Sequence, residues 1–339
     1  MDIDPKRILI IRRDNIGDLL CTTPAIRALR RHFPQAEISV LANSYNAPVL
    51  AGNPDIDHTF SYIKAKHAKR GKLHAWWNEW QLYRRLKNMR FDLIIQANPG
   101  PHNRTAKLVR YLGGKHRLGV VNAQPDRCYN IALLPADIAG RHQVERVMSL
   151  LQPLDIADAP GPMILAQPDP VDIPATQRLP QQPGQIWVGV HISSRKPCNR
   201  WDIERFKELI AAFPNTWRAA LFWSPGPKDD LMHPGDDEDA VALAAALPGK
   251  VLPVPTQSLN DLIVGLSQCT VLVCSDGGAM HIGAALGKPV VAFFGCTDPH
   301  AWGPWRVPNV VLQGNGNLDG ISTAQTLAAV QQLVESPTQ

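Results

Sequence analysis

The sequence lacks the features that mark several common classes of protein. It has no run of about eighteen apolar residues, so we expect no membrane-spanning helix. Its six cysteines include no C-x-x-C pair and no cysteine–histidine cluster with the spacing of a zinc site. The acidic start, Met1-Asp2-Ile3-Asp4, is unlike a secretory signal. We therefore expect a cytoplasmic protein with free thiols.

Acidic residues are scarce in the first half of the chain. Residues 1–150 contain 24 Lys and Arg against 12 Asp and Glu, a balance of +12. Residues 151–339 contain 11 against 18, a balance of −7. A basic half indicates either an anionic partner, such as a phosphorylated lipid or a nucleic acid, or an ordinary solvated surface. No RNA-binding or DNA-binding motif is present, which disfavours a nucleic acid.

Strand-like and helix-like segments alternate along the chain, which predicts an α/β protein with parallel sheets. The strand-like segments are continuously apolar, as expected for sheets that are covered on both faces. Seven prolines between Pro160 and Pro183 interrupt this alternation and indicate an interdomain linker. We therefore expect a first domain at 1–160, a linker at 161–184, a second domain at 185–321 and a C-terminal helix and tail at 322–339.

The first informative motif, Arg12–Asp18, follows the first predicted strand. Ligands of open α/β sheets bind at the carboxyl ends of strands. Gly17 permits a sharp turn there, and Asp18 lies near the start of a helix that stabilises its charge. Asp18 is either a functional carboxylate or simply a helix N-cap. The turn lacks G-x-G-x-x-G, so we expect no dinucleotide site on this domain.

The second motif, Val271–His281, combines a buried strand, Asp276, two glycines and the start of a helix. Glycines at such a turn let backbone N–H groups approach a phosphate, and the helix dipole favours its charge. Asp276 could accept hydrogen bonds from sugar hydroxyls. The alternative is a tight strand-to-helix turn that Asp276 caps, with His281 as a packing residue.

Two further loops carry polar side chains that suit a nucleotide. Ser193 and Ser194 precede Arg195 and Lys196, and hydroxyls beside cations suit a diphosphate. An acidic residue in the loop Gly226–Asp230 could hold ribose hydroxyls. Both loops are equally compatible with solvated polar segments.

Taken together, these motifs resemble glycosyltransferase family 9, the ADP-heptose:lipopolysaccharide heptosyltransferases. The resemblance covers Ile10–Leu20, residues 23–25 and 33–36, then Ser275–Leu286 and residues 294–299. The order and spacing of these motifs match the family from about residue 7 to residue 335.

The resemblance implies a GT-B fold, with two Rossmann-like αβα domains facing each other across a cleft. It implies an acceptor domain first, a nucleotide-sugar domain second, and neither a metal ion nor a cofactor. It carries the role of general base onto Asp18 in an inverting transfer from ADP-heptose to the lipopolysaccharide inner core. The donor would contact Ser193, Ser194, Lys196, Arg200, Asp229, Asp276, Gly277, Gly278, Ala279, Met280 and His281. The acceptor side would include Arg12, Gly17, Lys66, Lys69 and Arg70.

Two positions depart from the family pattern. Asn199 replaces a Lys that commonly lies two residues before Trp201, so either Arg200 or Lys196 supplies that charge or the leaving group is stabilised less. Gly277-Gly278 replaces the more usual Thr-Gly, which removes one hydroxyl. These departures leave open another nucleotide sugar or acceptor, a nucleotide-sugar epimerase, or a binding protein without turnover.

The basic residues of the first half include Lys64–Lys72, which precede the tryptophan-rich segment Trp76–Trp80. Cations beside tryptophans suit an anionic glycolipid acceptor and peripheral contact with the inner face of the membrane. The alternative is that the tryptophans pack against the sheet.

Overall fold

The computed structural model describes residues 3–63, 72–123, 126–138, 140, 142–229 and 235–335. The chain divides into two compact units, Met1–Ala166 and Gln167–Gln339. The boundary falls within the proline-rich segment that we expected to be a linker. We describe each unit by itself.

The first unit is built on a six-stranded parallel sheet. Its strands are β1 (Arg7–Ile11), β2 (Glu37–Asn43), β3 (His58–Tyr62), β4 (Leu93–Gln96), β5 (His116–Val120) and β6 (Ile131–Leu133). They lie in the order β3-β2-β1-β4-β5-β6, and β1 pairs with both β2 and β4. The inner strands β1 and β4 are almost wholly buried, which explains their continuous apolar sequences.

Among the described residues, this unit has four α-helices between its strands and a fifth after β6. They are α1 (Ile16–Leu20), α2 (Thr23–His32), α3 (Lys72–Asn88), α4 (Asn103–Leu112) and α5 (Gln143–Ser149). Helix α4 ends at Gly113, whose positive φ of 74° is the left-handed conformation that glycine adopts without strain. The short α1 follows β1 directly, so its first turn lies at the carboxyl end of that strand.

The second unit repeats this architecture. Its strands are β7 (Ile186–His191), β8 (Trp217–Phe222), β9 (Val251–Pro253), β10 (Val271–Ser275), β11 (Val290–Phe294) and β12 (Asn309–Gln313). The order is β12-β11-β10-β7-β8-β9, again with parallel pairing. Its helices are α6 (Ile203–Ala211), α7 (Asp237–Ala246), α8 (Leu259–Ser267), α9 (Gly278–Ala285), α10 (Pro299–Trp302) and α11 (Thr323–Glu335).

Aromatic packing fixes one side of the second sheet. The ring of Trp201 lies 4.8 Å from those of Phe206 and Phe293, and its indole N–H donates to the carbonyl of Ile321. This contact joins the loop before α6 to the segment before α11, so the C-terminal helix packs on the second unit. Within the described part of the chain, no helix is long and apolar enough to cross a membrane.

We predict that Gly119→Ala destabilises the first unit. A Cβ atom on Gly119 would lie 2.4 Å from the Tyr129 ring, whose hydroxyl donates to Gln96. Overpacking of this kind typically costs about 1–3 kcal/mol. Urea denaturation and hydrogen exchange of the β4 and β5 amides would measure the loss. Gly161→Ala is the matched control, because nothing lies within 4 Å of its added Cβ, and an equal effect of both changes would contradict this account.

Candidate active site

Asp18 lies in the first turn of α1, just beyond the carboxyl end of β1. The N-cap residue of this helix is Asn15, so the alternative that Asp18 is the N-cap is wrong. Asp18 is instead the third helical residue, and its Oδ2 accepts hydrogen bonds from the Asn15 backbone N–H and side-chain amide, at 3.2 and 3.0 Å. The carboxylate is therefore held against the N-terminus of the helix.

The guanidinium of Arg12 is the central group of this region, and it is almost completely buried. Its Nη2 donates to Asp18 Oδ1 at 2.5 Å, and its Nη1 donates to the carbonyl of Ala97. Its Nε lies 3.2 Å from Asp14 Oδ2, so one cation contacts two carboxylates. A buried charge requires such pairing, and the arrangement fixes both carboxylates at the edge of the sheet.

Asp14 and Asn98 were not singled out from the sequence, yet they belong to the same cluster. Asn98 Nδ2 donates to Asp14 Oδ2, which joins the loops that follow β4 and β1. The backbone carbonyl of Asp14 accepts a hydrogen bond of 2.9 Å from Nδ2 of Asn43, the last residue of β2. The rule that ligands bind at the carboxyl ends of strands could have indicated these residues.

Other residues expected on the acceptor side fall into two groups. Gly17 is buried within α1, next to Asp18. Lys66, Lys69 and Arg70 lie outside the described residues.

The described part of α3 exposes Trp76, Trp77 and Trp80, so the alternative that these tryptophans pack against the sheet is wrong for their side chains.

In the second unit, the turn between β10 and α9 has the form expected for an anion site. Gly277 is the N-cap residue of α9 and has no side chain to cap the first N–H groups. These backbone N–H groups have no hydrogen-bond partner within the helix itself and lie at the positive end of the helix dipole. Ala279, Met280 and His281 have buried side chains, so only their backbones are available to a ligand. The His281 ring packs edge-on against Trp302.

The loop after β7 contributes polar groups, but not all are available. Ser193 Oγ accepts from the backbone N–H of Ser224 at 2.7 Å, which leaves its own hydroxyl hydrogen as a donor. Arg200 donates through both Nη atoms to the buried Asp236, at 2.7 and 3.3 Å, and through Nε to the carbonyl of Ser194. Its charge is thereby neutralised. Lys196 is exposed in this same loop, and Asp229 is exposed in the loop after β8.

Asn199 occupies the position where the family pattern has Lys, and it is completely buried. Its Oδ1 accepts from the backbone N–H groups of Gly295 and Cys296, at 2.9 and 3.3 Å. Its Nδ2 lies 3.2 Å from Thr297 Oγ1 and 3.5 Å from Asp276 Oδ2. An uncharged amide therefore organises the loops that follow β7 and β11 beside Asp276.

Two cysteines do not match the expectation of free thiols. Cys198 and Cys296 form a disulfide with a Cα–Cα distance of 5.8 Å. They are 98 positions apart in the sequence, but the loops after β7 and β11 bring them together next to Asn199. The other described cysteines, at 21, 128, 269 and 274, remain thiols. Burial raises the pKa of the Cys269 thiol to about 12, so it is unreactive.

His191 is the last residue of β7 and precedes the loop that contains Ser193 and Ser194. Burial lowers the pKa of His191 to about 4, against an opposing contribution from the charge of Asp236. The imidazole is therefore neutral at neutral pH and adds no positive charge to the site. Arg195 and Lys196, both exposed, are the cations of this loop that have no carboxylate partner among the described residues.

Residues 79–322 match the family model described as Glycosyltransferase family 9 (heptosyltransferase). That match covers more than two thirds of the chain. The chain belongs to glycosyltransferase family 9. It is therefore a glycosyltransferase of the heptosyltransferase family, and the resemblance noted in its sequence motifs is confirmed.

Individual relatives agree with this assignment. The Escherichia coli lipopolysaccharide heptosyltransferase 3 is 26% identical over 95% of this chain and 97% of its own. The crystal structure of a family 9 glycosyltransferase from Veillonella parvula matches with a TM-score of 0.81 and 22% identity, over 98% of both chains. The E. coli heptosyltransferase WaaC, solved with ADP, matches with a TM-score of 0.76 and 20% identity, over 96% of this chain and 99% of its own. The predicted GT-B class of this family 9 enzyme is thus confirmed by two parallel six-stranded sheets and by these structural neighbours.

Proposed function

We propose that this family 9 enzyme transfers a heptose from ADP-heptose to a lipopolysaccharide inner-core acceptor, with inversion and without a metal ion. The observation that carries the proposal is the Asp18 carboxylate, held by Arg12 and Asn15 at the carboxyl edge of the first sheet. The relatives support the substrates: one is named a lipopolysaccharide heptosyltransferase, and WaaC was solved with ADP and with ADP-2-deoxy-2-fluoro heptose.

In the proposed reaction, Asp18 takes the proton of the acceptor hydroxyl. The hydroxyl oxygen attacks the anomeric carbon from the side opposite the diphosphate, and a new carbon–oxygen bond forms. The bond between the anomeric carbon and the diphosphate oxygen breaks, and ADP leaves with that electron pair. A single displacement of this kind inverts the anomeric carbon. It requires one base and one group that stabilises the departing charge.

The second unit is proposed to bind the donor. The first N–H groups of α9 receive no side-chain cap, so they are suited to the diphosphate. Ser193 retains a hydroxyl donor, and Lys196 supplies a cation that Arg200 cannot supply while it is paired with Asp236. Asp276 would accept hydrogen bonds from the sugar. Asp229, exposed after β8, would accept from the ribose.

We predict that one substitution in each unit affects a different step, catalysis in the first unit and ADP binding in the second. Asp18→Asn should lower kcat about 10²–10⁴-fold, the usual cost of losing a general base, and should leave ADP affinity unchanged. Gly277→Val should weaken ADP binding about tenfold or more by obstructing the approach of phosphate to the α9 N–H groups. Steady-state kinetics at saturating substrates and calorimetric titration with ADP would measure the two effects.

The two variants serve as controls for each other. A Cβ atom on Gly277 would meet only the carbonyl of Ser275, at 3.9 Å, and its φ of 163° is extended backbone, so Gly277→Val should fold normally. If Asp18→Asn retains the parental kcat, Asp18 has only a structural role in α1. If Gly277→Val binds ADP as the parent does, the diphosphate lies elsewhere.

We also propose that α3 brings the enzyme into peripheral contact with an anionic membrane surface. Trp76, Trp77 and Trp80 are 66%, 49% and 37% exposed, and the rings of Trp77 and Trp80 lie 4.9 Å apart. The guanidinium of Arg84 lies over the Trp80 ring at 4.8 Å, one helical turn further on. Exposed tryptophans beside cations on one helix are typical of a surface that meets lipid headgroups. This location would place the enzyme at the inner face of the membrane, where a glycolipid acceptor is present.

We predict that Trp76→Ala/Trp77→Ala lowers binding to vesicles that contain anionic phospholipid. The loss should be about tenfold or more, since burying one large apolar side chain is worth about 1.5–3 kcal/mol. Arg84→Glu should weaken binding mainly at low salt, because exposed charges are screened over about 8 Å at physiological ionic strength. Sedimentation with anionic and neutral vesicles would measure binding. Val241→Ala, which removes an exposed apolar side chain in the second unit, is the control, and equal binding by all variants would refute the membrane contact.

A further inference from the structure

Asn98 has a buried oxygen that lacks a hydrogen-bond donor. The residue is 9% exposed, and no described group donates to its Oδ1. Its Nδ2 donates to Asp14 Oδ2, so this hydrogen bond fixes which way the amide faces. Buried polar atoms in proteins are nearly always paired, and an unpaired one indicates a partner from outside the chain. That partner must be a hydrogen-bond donor.

The neighbouring carboxylate of Asp14, which is partly exposed, also has one oxygen without a described donor. Its Oδ2 is occupied by Asn98 Nδ2 and lies 3.2 Å from Arg12 Nε, whereas no described group donates to its Oδ1. The side chain is 26% exposed, so a ligand can reach it. Hydrogen bonds of 2.9 and 3.4 Å from Asn43 and Asn46 to the Asp14 carbonyl hold its backbone in place. The carboxylate is therefore positioned before any ligand binds.

Asp18 differs from Asp14 in this respect. Both of its oxygens already accept hydrogen bonds, from Arg12 and from Asn15. The carboxylates of Asp14 and Asp18 contact the same guanidinium, so they are close neighbours. A ligand that reaches Asp18 therefore meets Asp14 and Asn98 as well.

The charge of this cluster restricts the chemistry of the ligand. One guanidinium faces two carboxylates, so the local balance is −1. Phosphate and carboxylate groups would be repelled by such a site, and they have no hydrogen to donate to Asp14 or Asn98. Hydroxyl groups are neutral and donate one hydrogen bond each. The hydroxyls of a neutral sugar therefore suit oxygens that lack a donor in two hydrogen-bonded side chains.

We infer that Asp14 and Asn98 form a hydroxyl-binding subsite that selects a neutral sugar as the reacting residue of the acceptor. Asp14 Oδ1 accepts a hydrogen bond from the hydroxyl next to the one that Asp18 deprotonates, and Asn98 Oδ1 accepts from a further hydroxyl. The inference rests on the proposed transferase function and specifies its acceptor. An acidic sugar in this position would place its carboxylate against Asp14 and would be a poor acceptor.

The experiment compares three variants with a matched control. Asp14→Ala and Asn98→Ala remove the two oxygens, and Asp14→Asn restores an uncharged oxygen at the first position. Asp4→Asn is the control, because Asp4 is an exposed carboxylate of the same unit that pairs only with Lys6 in the described residues. The acceptors are two lipid-free core oligosaccharides, one that ends in a neutral sugar and a synthetic analogue that lacks the hydroxyl adjacent to the reacting one. ADP-heptose is the donor.

The expected result is a rise in the acceptor KM, with donor binding unchanged. Asp14→Ala should raise the acceptor KM about tenfold or more, which corresponds to one hydrogen bond with a charged partner, and Asp14→Asn should restore part of the loss. ADP affinity should equal that of the parent in every variant. The parent should use the deoxy acceptor about tenfold less well, whereas Asp14→Ala should no longer distinguish the two acceptors. A purely structural role would not remove that discrimination.

Several outcomes would overturn the inference, and they separate it from the proposed function. If the parent transfers heptose to the neutral acceptor but Asp14→Ala and Asn98→Ala keep its acceptor KM, the two oxygens bind only water. If the parent uses the deoxy acceptor equally well, the subsite is refuted even if the alanine variants do not fold. If the parent transfers heptose to no acceptor, the proposed function fails and the inference fails with it.

Discussion

The pairing of the buried Arg12 guanidinium is the constraint on which the first unit's site depends. A buried cation without a partner is strongly unfavourable, and removal of one member of a buried pair typically costs about 3–5 kcal/mol. Arg12 meets this requirement with Asp18, Asp14 and the carbonyl of Ala97, so it connects the ends of β1 and β4. The same contacts set the functions of the two carboxylates apart. Both oxygens of Asp18 accept hydrogen bonds at the start of α1, whereas Asp14 Oδ1 has no donor among the described residues.

The second unit, where we propose that the donor diphosphate binds, requires groups that favour negative charge. The family pattern has a Lys where this chain has Asn199, and Arg200 is neutralised by the buried Asp236. The uncapped N-terminus of helix α9 follows Asp276 directly, and Arg195 and Lys196 are exposed in the loop after β7. Asn199 has a structural role instead: its amide oxygen accepts hydrogen bonds from the backbone N–H groups of Gly295 and Cys296, which fixes the loop after β11. At this position the chain therefore has a fixed, uncharged amide in place of a lysine side chain. In the proposed mechanism, the backbone N–H groups of α9 then stabilise the leaving group.

Much of the fold could be predicted from the sequence, because inner parallel strands are continuously apolar. The parallel sheets predicted from the alternating segments are present, and inner strands such as β4 are buried throughout. The edge strands carry a weaker pattern, since His58–Tyr62 alternates and Val251–Pro253 is only partly buried. The site was predicted less completely. Motifs identified Asp18 and Asp276, but the pairing of Arg200 with Asp236, 36 positions away, depends on tertiary packing that no local pattern encodes.

The central claim is that this family 9 enzyme moves a heptose from ADP-heptose to a core acceptor. The most direct measurement is the mass of an inner-core acceptor after incubation with ADP-heptose, together with the ADP released. The account predicts an acceptor that has gained one heptose, one ADP for each product, and no ADP when the acceptor is omitted. Recovery of unchanged ADP-heptose with every core acceptor would contradict the account. So would its conversion, without any acceptor, into a different nucleotide sugar, which is the behaviour of an epimerase.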